Sequence, residues 1–203
     1  MKSAEDDGTT SLEPEEREGL KFKHVTTRGE LDHLEQANIE QGLRWLSRRK
    51  NPDILNEAFV RELHKKLFGQ VWTWAGKFRR TEKNIGIDPN KILVALRLLL
   101  DDVKYWVEHG TYPPHEICLR FHHRLVFIHP FVNGNGRHAR IMADALSTKV
   151  FGGGLIDWAG EHDLHSMNVR RAEYIRALQM ADGGDLSKLL EFVRPDYNNV
   201  KKA

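Results

Sequence analysis

Apolar and core-compatible residues fall at helical spacing along most of this chain. Between 30 and 48 they are Leu31, Leu34, Ala37, Ile39, Leu43 and Leu46, with polar residues on the other face. Thr26 or Thr27 stands where such a helix needs an N-cap. Pro52 and Asp53 open a second helix running to about Phe68, with Ile54, Leu55, Phe59, Leu63 and Leu67 as its buried stripe and Gly69 as its stop. Residues 90–109 repeat the pattern with Ile92, Leu93, Leu96, Leu99, Leu100, Val103 and Trp106 inward, up to Gly110. Pro113 and Pro114 start a fourth helix that reaches about Phe127. A fifth, over 136–150, turns Ile141, Met142, Ala145 and Leu146 inward and is broken by three glycines at 152–154. Further helices over 161–181 and 185–193 flank a Gly183-Gly184 turn.

One stretch breaks the helical period. Residues 71–87, VWTWAGKFRRTEKNIGI, are rich in β-branched and aromatic residues, and the second half reads as a short β-hairpin or an extended flap. Trp72 and Trp74 read as core packing. LKFKHVTT, just before the first helix, reads as extended, and PEEREGL from Pro14 as a short helical turn. Helix upon helix with one small hairpin predicts an all-α domain, a helical bundle over 29–195. Residues 1–28 form a polar N-terminal arm with a regulatory role in view, and 196–203 a frayed tail.

Composition narrows the picture only slightly. The 203 residues are 40% hydrophobic, enough for one domain with a sizeable core. A net charge of +2 is too balanced to point to nucleic acid or an anionic membrane. One cysteine, Cys118, excludes an internal disulfide, and it reads as a small buried residue. No apolar run has transmembrane length, and MKSAEDDGTT is unlike a secretory leader, so the expected location is cytoplasmic.

The chemistry concentrates in residues 129–140, HPFVNGNGRHAR. The Gly-Asn-Gly run lets the backbone turn tightly and leaves its N–H groups unobstructed. Placed before a helix, those groups point at an anion, which the helix dipole helps to hold. Arg137 and Arg140 are three apart, so one helix face can carry both guanidinium forks, which suit phosphate oxygens. Asn133 offers an oxygen to a hard cation such as Mg²⁺, though a neutral amide holds it less strongly than a carboxylate does. His129 can exchange a proton near neutral pH. Together these groups form a kit for phosphoryl or nucleotidyl transfer.

HPFVNGNGRHAR resembles the Fic family motif, H-x-F-x-[D/N]-G-N-G-R-x-x-R, at every fixed position. LFGQVWTWAGKFRRTEKNIG resembles the segment that precedes this motif in Fic proteins, and RRAEYIRALQMADGGD resembles their closing helix. EREGLKFKHVTTRGELDHLEQANI looks like the subgroup known as mobile mystery protein B. The resemblance implies a Fic-like helical bundle that transfers AMP from ATP to a Ser, Thr or Tyr hydroxyl of a protein and releases pyrophosphate. It implies His129 as the base, Phe131 as a buried anchor and Asn133 as the Mg²⁺ ligand. It implies Gly134, Asn135 and Gly136 as the anion hole, and Arg137 and Arg140 as phosphate clamps. A target-docking flap of Thr81, Glu82, Lys83, Asn84, Ile85 and Gly86 would pair with an extended target segment.

Many Fic proteins are held inactive by a glutamate, in the pattern [S/T]-x-x-x-E-[G/N]. Glu18 and Glu191 are the two candidates here, each an incomplete match, and a separate small antitoxin supplying the glutamate is a third way. His122, His123 and His138 invite a zinc reading, but adjacent histidines point to different helix faces and no HExxH or Cys pattern accompanies them. His24, His64 and His162 read as surface residues. The alternatives to AMP transfer are transfer of phosphate or phosphocholine, or a module that binds nucleotide or a partner without turnover.

Overall fold

A computed structural model describes residues 18–158 and 169–193. Seven α-helices stand among the described residues: α1 (Arg28–Ser47), α2 (Glu57–Phe68), α3 (Ile92–His109), α4 (Pro114–Ile128), α5 (Asn135–Ala145), α6 (Val169–Asp182) and α7 (Ser187–Phe192). None of them is long and apolar enough to cross a membrane. The helical turn expected from Pro14, the first turns of the helix expected from 161, His162 and the tail lie largely or wholly outside the described residues.

Local sequence explains the helix ends. Thr27 caps α1 in a reciprocal box: its hydroxyl accepts from Glu30 N–H, and the Glu30 carboxylate accepts from Thr26 and Thr27 N–H, each at 3.1 Å. Asn56 caps α2 through Ala58 N–H at 2.8 Å, so α2 begins a turn later than Pro52 suggested. Gly110, at φ 58°, closes α3 in the left-handed region. After α5 the chain winds on as a wider π turn over Leu146–Val150 before the glycines end it.

The core runs between α4 and α5, where Cys118, Phe121, Ala139, Met142, Ala143 and Leu146 are fully buried. Each buried side chain of this size is worth roughly 1.5–3 kcal/mol for the larger aliphatic and aromatic residues. α1 lies against α2 at Gly42, where a Cβ would come within 2.8 Å of Leu67 Cδ2 and 3.0 Å of the Lys66 carbonyl. One turn before Gly42, Asn38 ties the pair again, donating to Lys66 O at 2.9 Å and accepting from Gln70 N–H at 2.8 Å.

Several expectations need correction. The buried face of α1 is Leu31, Glu35, Asn38, Ile39, Gly42 and Leu46; Ala37 and Leu43 face outward, because two polar side chains take inward positions. Leu93 is also exposed. LKFKHVTT bends at a Phe22–Val25 turn instead of running straight, and Leu20 bridges to Trp72. The expected β-hairpin does not form among the described residues. Phe78 bridges instead to Phe131 of the loop after α4, and 81–86 continues as an exposed, bent loop with no partner strand among the described residues. Strand pairing there goes to the motif loop rather than back onto the segment itself.

Candidate active site

The loop joining α4 to α5 carries the motif, and the fold holds it from beneath. Phe131 is completely buried and stacks on His64 with ring centroids 3.7 Å apart. The Asn135 side chain is buried too, and it brackets Phe131: Oδ1 accepts from Phe131 N–H and Nδ2 donates to Phe131 O, both at 2.9 Å. The Asn135 side chain is therefore spent on the loop, and only its backbone N–H can face an anion.

His64 is a fully buried support, not a surface residue. Nδ1 accepts from Gly76 N–H at 3.0 Å, so Nε2 carries the proton and donates to Asn133 O at 3.1 Å. Burial first, then the positive sides of His138 and Arg137, hold its pKa well below the usual range. His138 is likewise buried and donates from Nε2 to Val60 O at 3.0 Å; burial lowers its pKa to about 3. His122 reaches the Tyr174 hydroxyl at 2.9 Å, and His123 reaches Asp182 at 2.8 Å. These histidines have separate partners, and among the described residues no group of three or more His, Cys, Asp or Glu is arranged to hold a metal.

Gly134 turns the chain into α5 at φ 75°, and a Cβ there would stand 2.7 Å from the Phe68 ring. No side chain caps α5. Gly134 N–H is taken by Asn133 Oδ1 at 2.7 Å, and the N–H groups of Asn135, Gly136 and Arg137 in the first helical turn have no intrahelical acceptor. Beside Gly136 a Cβ would meet nothing closer than an Arg140 nitrogen at 3.8 Å, so that flank is open.

The two arginines are held differently. Arg137 lies over the Phe68 ring at 4.9 Å and forms a 2.6 Å ion pair with Glu35 of α1. The other Glu35 oxygen accepts from Trp72 Nε1 at 2.7 Å, and Trp72 stacks on Trp74. Arg140 leans toward Tyr174 of α6, 5.7 Å from its ring centroid. Glu191 pairs with Lys188 at 2.7 Å, and Glu18 is exposed; neither carboxylate is on a motif arginine among the described residues.

His129 ends α4 in the left-handed region at φ 52°, the one non-glycine described residue with positive φ. Its Nδ1 is buried without a hydrogen-bond partner among the described residues. Burial, and then the charges of Arg79 and Lys83, pull its pKa down to about 4, so the ring is neutral at physiological pH. The exposed segment from Thr81 to Gly86 runs beside it, and a Cβ on Gly86 would lie 2.5 Å from His129 Cβ. Thr81, Glu82, Lys83, Asn84 and Ile85 all face solvent.

Comparison with known proteins agrees with this geometry. The model of the Fic/DOC family matches residues 54–147, which span α2 to the end of α5 and include the whole motif. The chain carries a Fic/DOC family domain. The protein adenylyltransferase Fic of Drosophila melanogaster is 31% identical over 140 residues, 66% of this chain and 26% of that protein. Protein adenylyltransferase fic-1 of Caenorhabditis elegans is 26% identical over 173 residues, 80% of this chain and 32% of that one. The chain thus spans a third or less of these relatives' length. Among solved structures, residues 134–508 of C. elegans Fic-1 superpose with a TM-score of 0.63 at 24% identity, covering 86% of this chain and 50% of that one. BepC of Bartonella tribocorum, solved with bound AMPPNP, superposes with a TM-score of 0.65 at 18% identity over 91% of each chain. At such identities the likeness speaks to the Fic fold, and the fold is helical as expected.

Three residues at the site were not anticipated: Glu35, His64 and Arg79. Glu35 and His64 each stand on the apolar stripe of their helix, which is a signal for burial. Arg79 has no such mark, since its partners come from distant parts of the chain.

Proposed function

We propose that this chain transfers AMP from ATP to a Ser, Thr or Tyr hydroxyl of another protein. The observation that carries this reading is the uncapped start of α5, with N–H groups that have no intrahelical acceptor, flanked by His129, Arg137 and Arg140. Partial positive charge at a helix start and two guanidinium forks suit a triphosphate. The relatives named protein adenylyltransferase and the AMPPNP-bound fold neighbour support the choice of nucleotide.

In the proposed reaction the target oxygen attacks the α-phosphorus of ATP. A new P–O bond forms, the bond from that phosphorus to the bridging oxygen breaks, and pyrophosphate leaves. His129 accepts the hydroxyl proton, a role its neutral ring permits. The backbone N–H groups of Asn135 and Gly136 and the two arginines oppose the growing negative charge; losing one such donor costs about 10²- to 10³-fold in comparable sites. Gly134 serves by its turn, because its own N–H is already engaged. The 81–86 segment, exposed and without a partner strand among the described residues, would add an extended target strand beside His129.

Mg²⁺ fits Asn133 in part. The side chain is exposed, and Oδ1 accepts one N–H, leaving a second lone pair for the ion. When bound, the ion would neutralise phosphate charge, with most of its ligands drawn from phosphate and water.

The test is mass analysis of the protein, and of lysate proteins, after incubation with each nucleoside triphosphate and Mg²⁺. Addition of one AMP with ATP, lost in His129→Ala while ATP still binds, is expected. Addition of a phosphate or of phosphocholine would replace the reading with another transfer. Nucleotide binding with no modification in any lysate would favour a binding module.

A further inference from the structure

Arg79 is the most heavily engaged side chain near the motif, yet it touches neither phosphate-binding element. It is 3% exposed, and no carboxylate is within ion-pair distance of it among the described residues. Its guanidinium is instead surrounded by backbone carbonyls. Nε donates to His129 O at 2.7 Å and Nη1 to Thr81 O at 2.9 Å; Nη2 donates to Ile87 O and, at 3.5 Å, to Ile128 O. Its backbone N–H donates to Pro130 O at 2.9 Å.

Those acceptors come from three places: the start of the exposed loop, its end, and the turn that carries His129. One rigid fork therefore closes the 81–87 loop at its base and fastens that base to the histidine turn. Lysine could not do this, because an ammonium has no planar array of donors at fixed angles. Burying a charge with no carboxylate in direct contact is costly, and burial pulls the Arg79 pKa down although the more distant charges of Asp88 and Glu82 oppose that shift. Simple loop closure does not need so costly a group. The turn it grips is also strained, since a non-glycine residue at positive φ costs roughly 1–2 kcal/mol and must be held there. Gly86 completes the joint: a Cβ there would lie 2.5 Å from His129 Cβ and 2.7 Å from Arg79 Nη2.

We infer that Arg79 is a positioning residue that sets the exposed 81–86 loop and the His129 ring in one fixed register, so that a target strand docked on the loop delivers its hydroxyl to the ring. This deepens the reading given above and rests on it for the role of His129; the mechanical coupling itself does not. Arg79 acts through two other elements and contacts no reacting atom.

Two variants probe the joint from opposite sides. Arg79→Lys keeps the charge and removes the fork. Gly86→Ala keeps the Arg79 side chain itself but drives a Cβ against both the histidine and Nη2, wedging the joint open; because residue 86 is exposed, it preserves the fold even if Arg79→Lys does not. Hydrogen exchange over 81–87 and the NMR signal of the His129 ring are read without any substrate. Both variants should speed exchange across 81–87 and shift the ring signal, while the affinity for AMPPNP stays within about twofold of wild type. Where transfer is measured, kcat should fall about 10²-fold, the size expected for an ångström-scale misplacement, with the KM for ATP unchanged. Wild-type exchange and an unmoved ring signal in Gly86→Ala would overturn the coupling. A wild-type enzyme that transfers nothing, with both shifts still present in the variants, would refute the adenylyltransferase reading and leave the coupling standing.

Discussion

Replacing Glu35 by Gln tests whether the ion pair to Arg137 organises the motif. The amide keeps an acceptor for Trp72 Nε1 and nearly the same shape, so the main loss is the charge facing Arg137. The pair is short at 2.6 Å, and the side chains are 7% exposed for Glu35 and 21% for Arg137. Breaking a buried pair by removing one partner costs about 3–5 kcal/mol. Water reaches part of Arg137, which puts the cost at the lower end, about 3 kcal/mol. For a chain of this size that lowers the melting temperature by about 6–12 °C. Arg137→Met should cost less than the sum implies when combined with Glu35→Gln, since the two changes remove one interaction. AMPPNP should close part of the gap, because phosphate oxygens give the orphaned guanidinium a new partner and ligand binding adds stability by mass action. Thermal denaturation of the wild type and the three variants, with and without AMPPNP, reads all of this. A Glu35→Gln melt within about 1 °C of wild type would refute the worth given to the pair. A gap equal with and without nucleotide would show that Arg137 does not turn to phosphate.

Four further outcomes are expected. Gly134→Ala forces a Cβ to 2.7 Å from the Phe68 ring at φ 75°, and should destabilise the protein by about 2–4 kcal/mol, from strain plus overpacking, in a denaturant titration. Asp144, which accepts from Ile156 N–H and Trp158 Nε1 at 3.1 Å, has its pKa raised by burial to about 6. The stability this group adds is therefore full below its unfolded pKa and lost as pH rises through 6, so Asp144→Asn should gain up to about 3 kcal/mol near pH 7.5 and nothing below pH 4. His122 and His138, lowered by burial to about 3, bind protons only when unfolded between pH 6.5 and 3; each should cost about 2 kcal/mol by pH 5, and His138→Gln should flatten the acid limb of a circular-dichroism titration. Nucleotide should raise the His129 pKa above 4, seen as a shifted ring titration by NMR with AMPPNP present.

What the sequence disclosed and what it hid follow from the range of the interactions. Helix ends were legible where a local signal stood alone: Thr27 before α1 and Gly110 after α3 act within four residues, whereas Pro52 and Asp53 pointed a turn too early for α2, which Asn56 caps. The motif was legible because its turn and its helix start are contiguous. The supports were not. Glu35 lies four residues from both Leu31 and Ile39 on the buried stripe of α1, a place where a carboxylate must have a partner, but the partner is 102 positions along the chain. His64 sits on the stripe between Leu63 and Leu67, yet only the fold reveals that it stacks on Phe131 and holds Asn133. The 71–87 run had strand chemistry and did pair, but with the motif loop at Phe131 instead of with itself. Composition can mark a segment as able to pair; it cannot name the other strand.

The electrostatics of the site give these supports a common purpose. Arg137, Arg140, the start of α5, Arg79 and Lys83 collect positive charge around the motif, and among the described residues Arg137 alone of these has a carboxylate within ion-pair distance. Such a concentration is unfavourable without an anion, and burial, with the charges of Arg79 and Lys83 adding to it, lowers the His129 pKa to about 4. A ring so depressed is reliably neutral but a poor proton acceptor. A bound triphosphate reverses the sign of the local field, and an anion near an imidazole favours its protonated form. The ring would then accept a proton more readily with nucleotide in place than without it. On this reading Glu35 shares in the control, because the charge it lends to Arg137 in the empty site is the charge that phosphate takes over when it arrives. Basicity at His129 would thus follow loading of the cradle, so an incoming hydroxyl meets an effective base chiefly when the group to be transferred is already there.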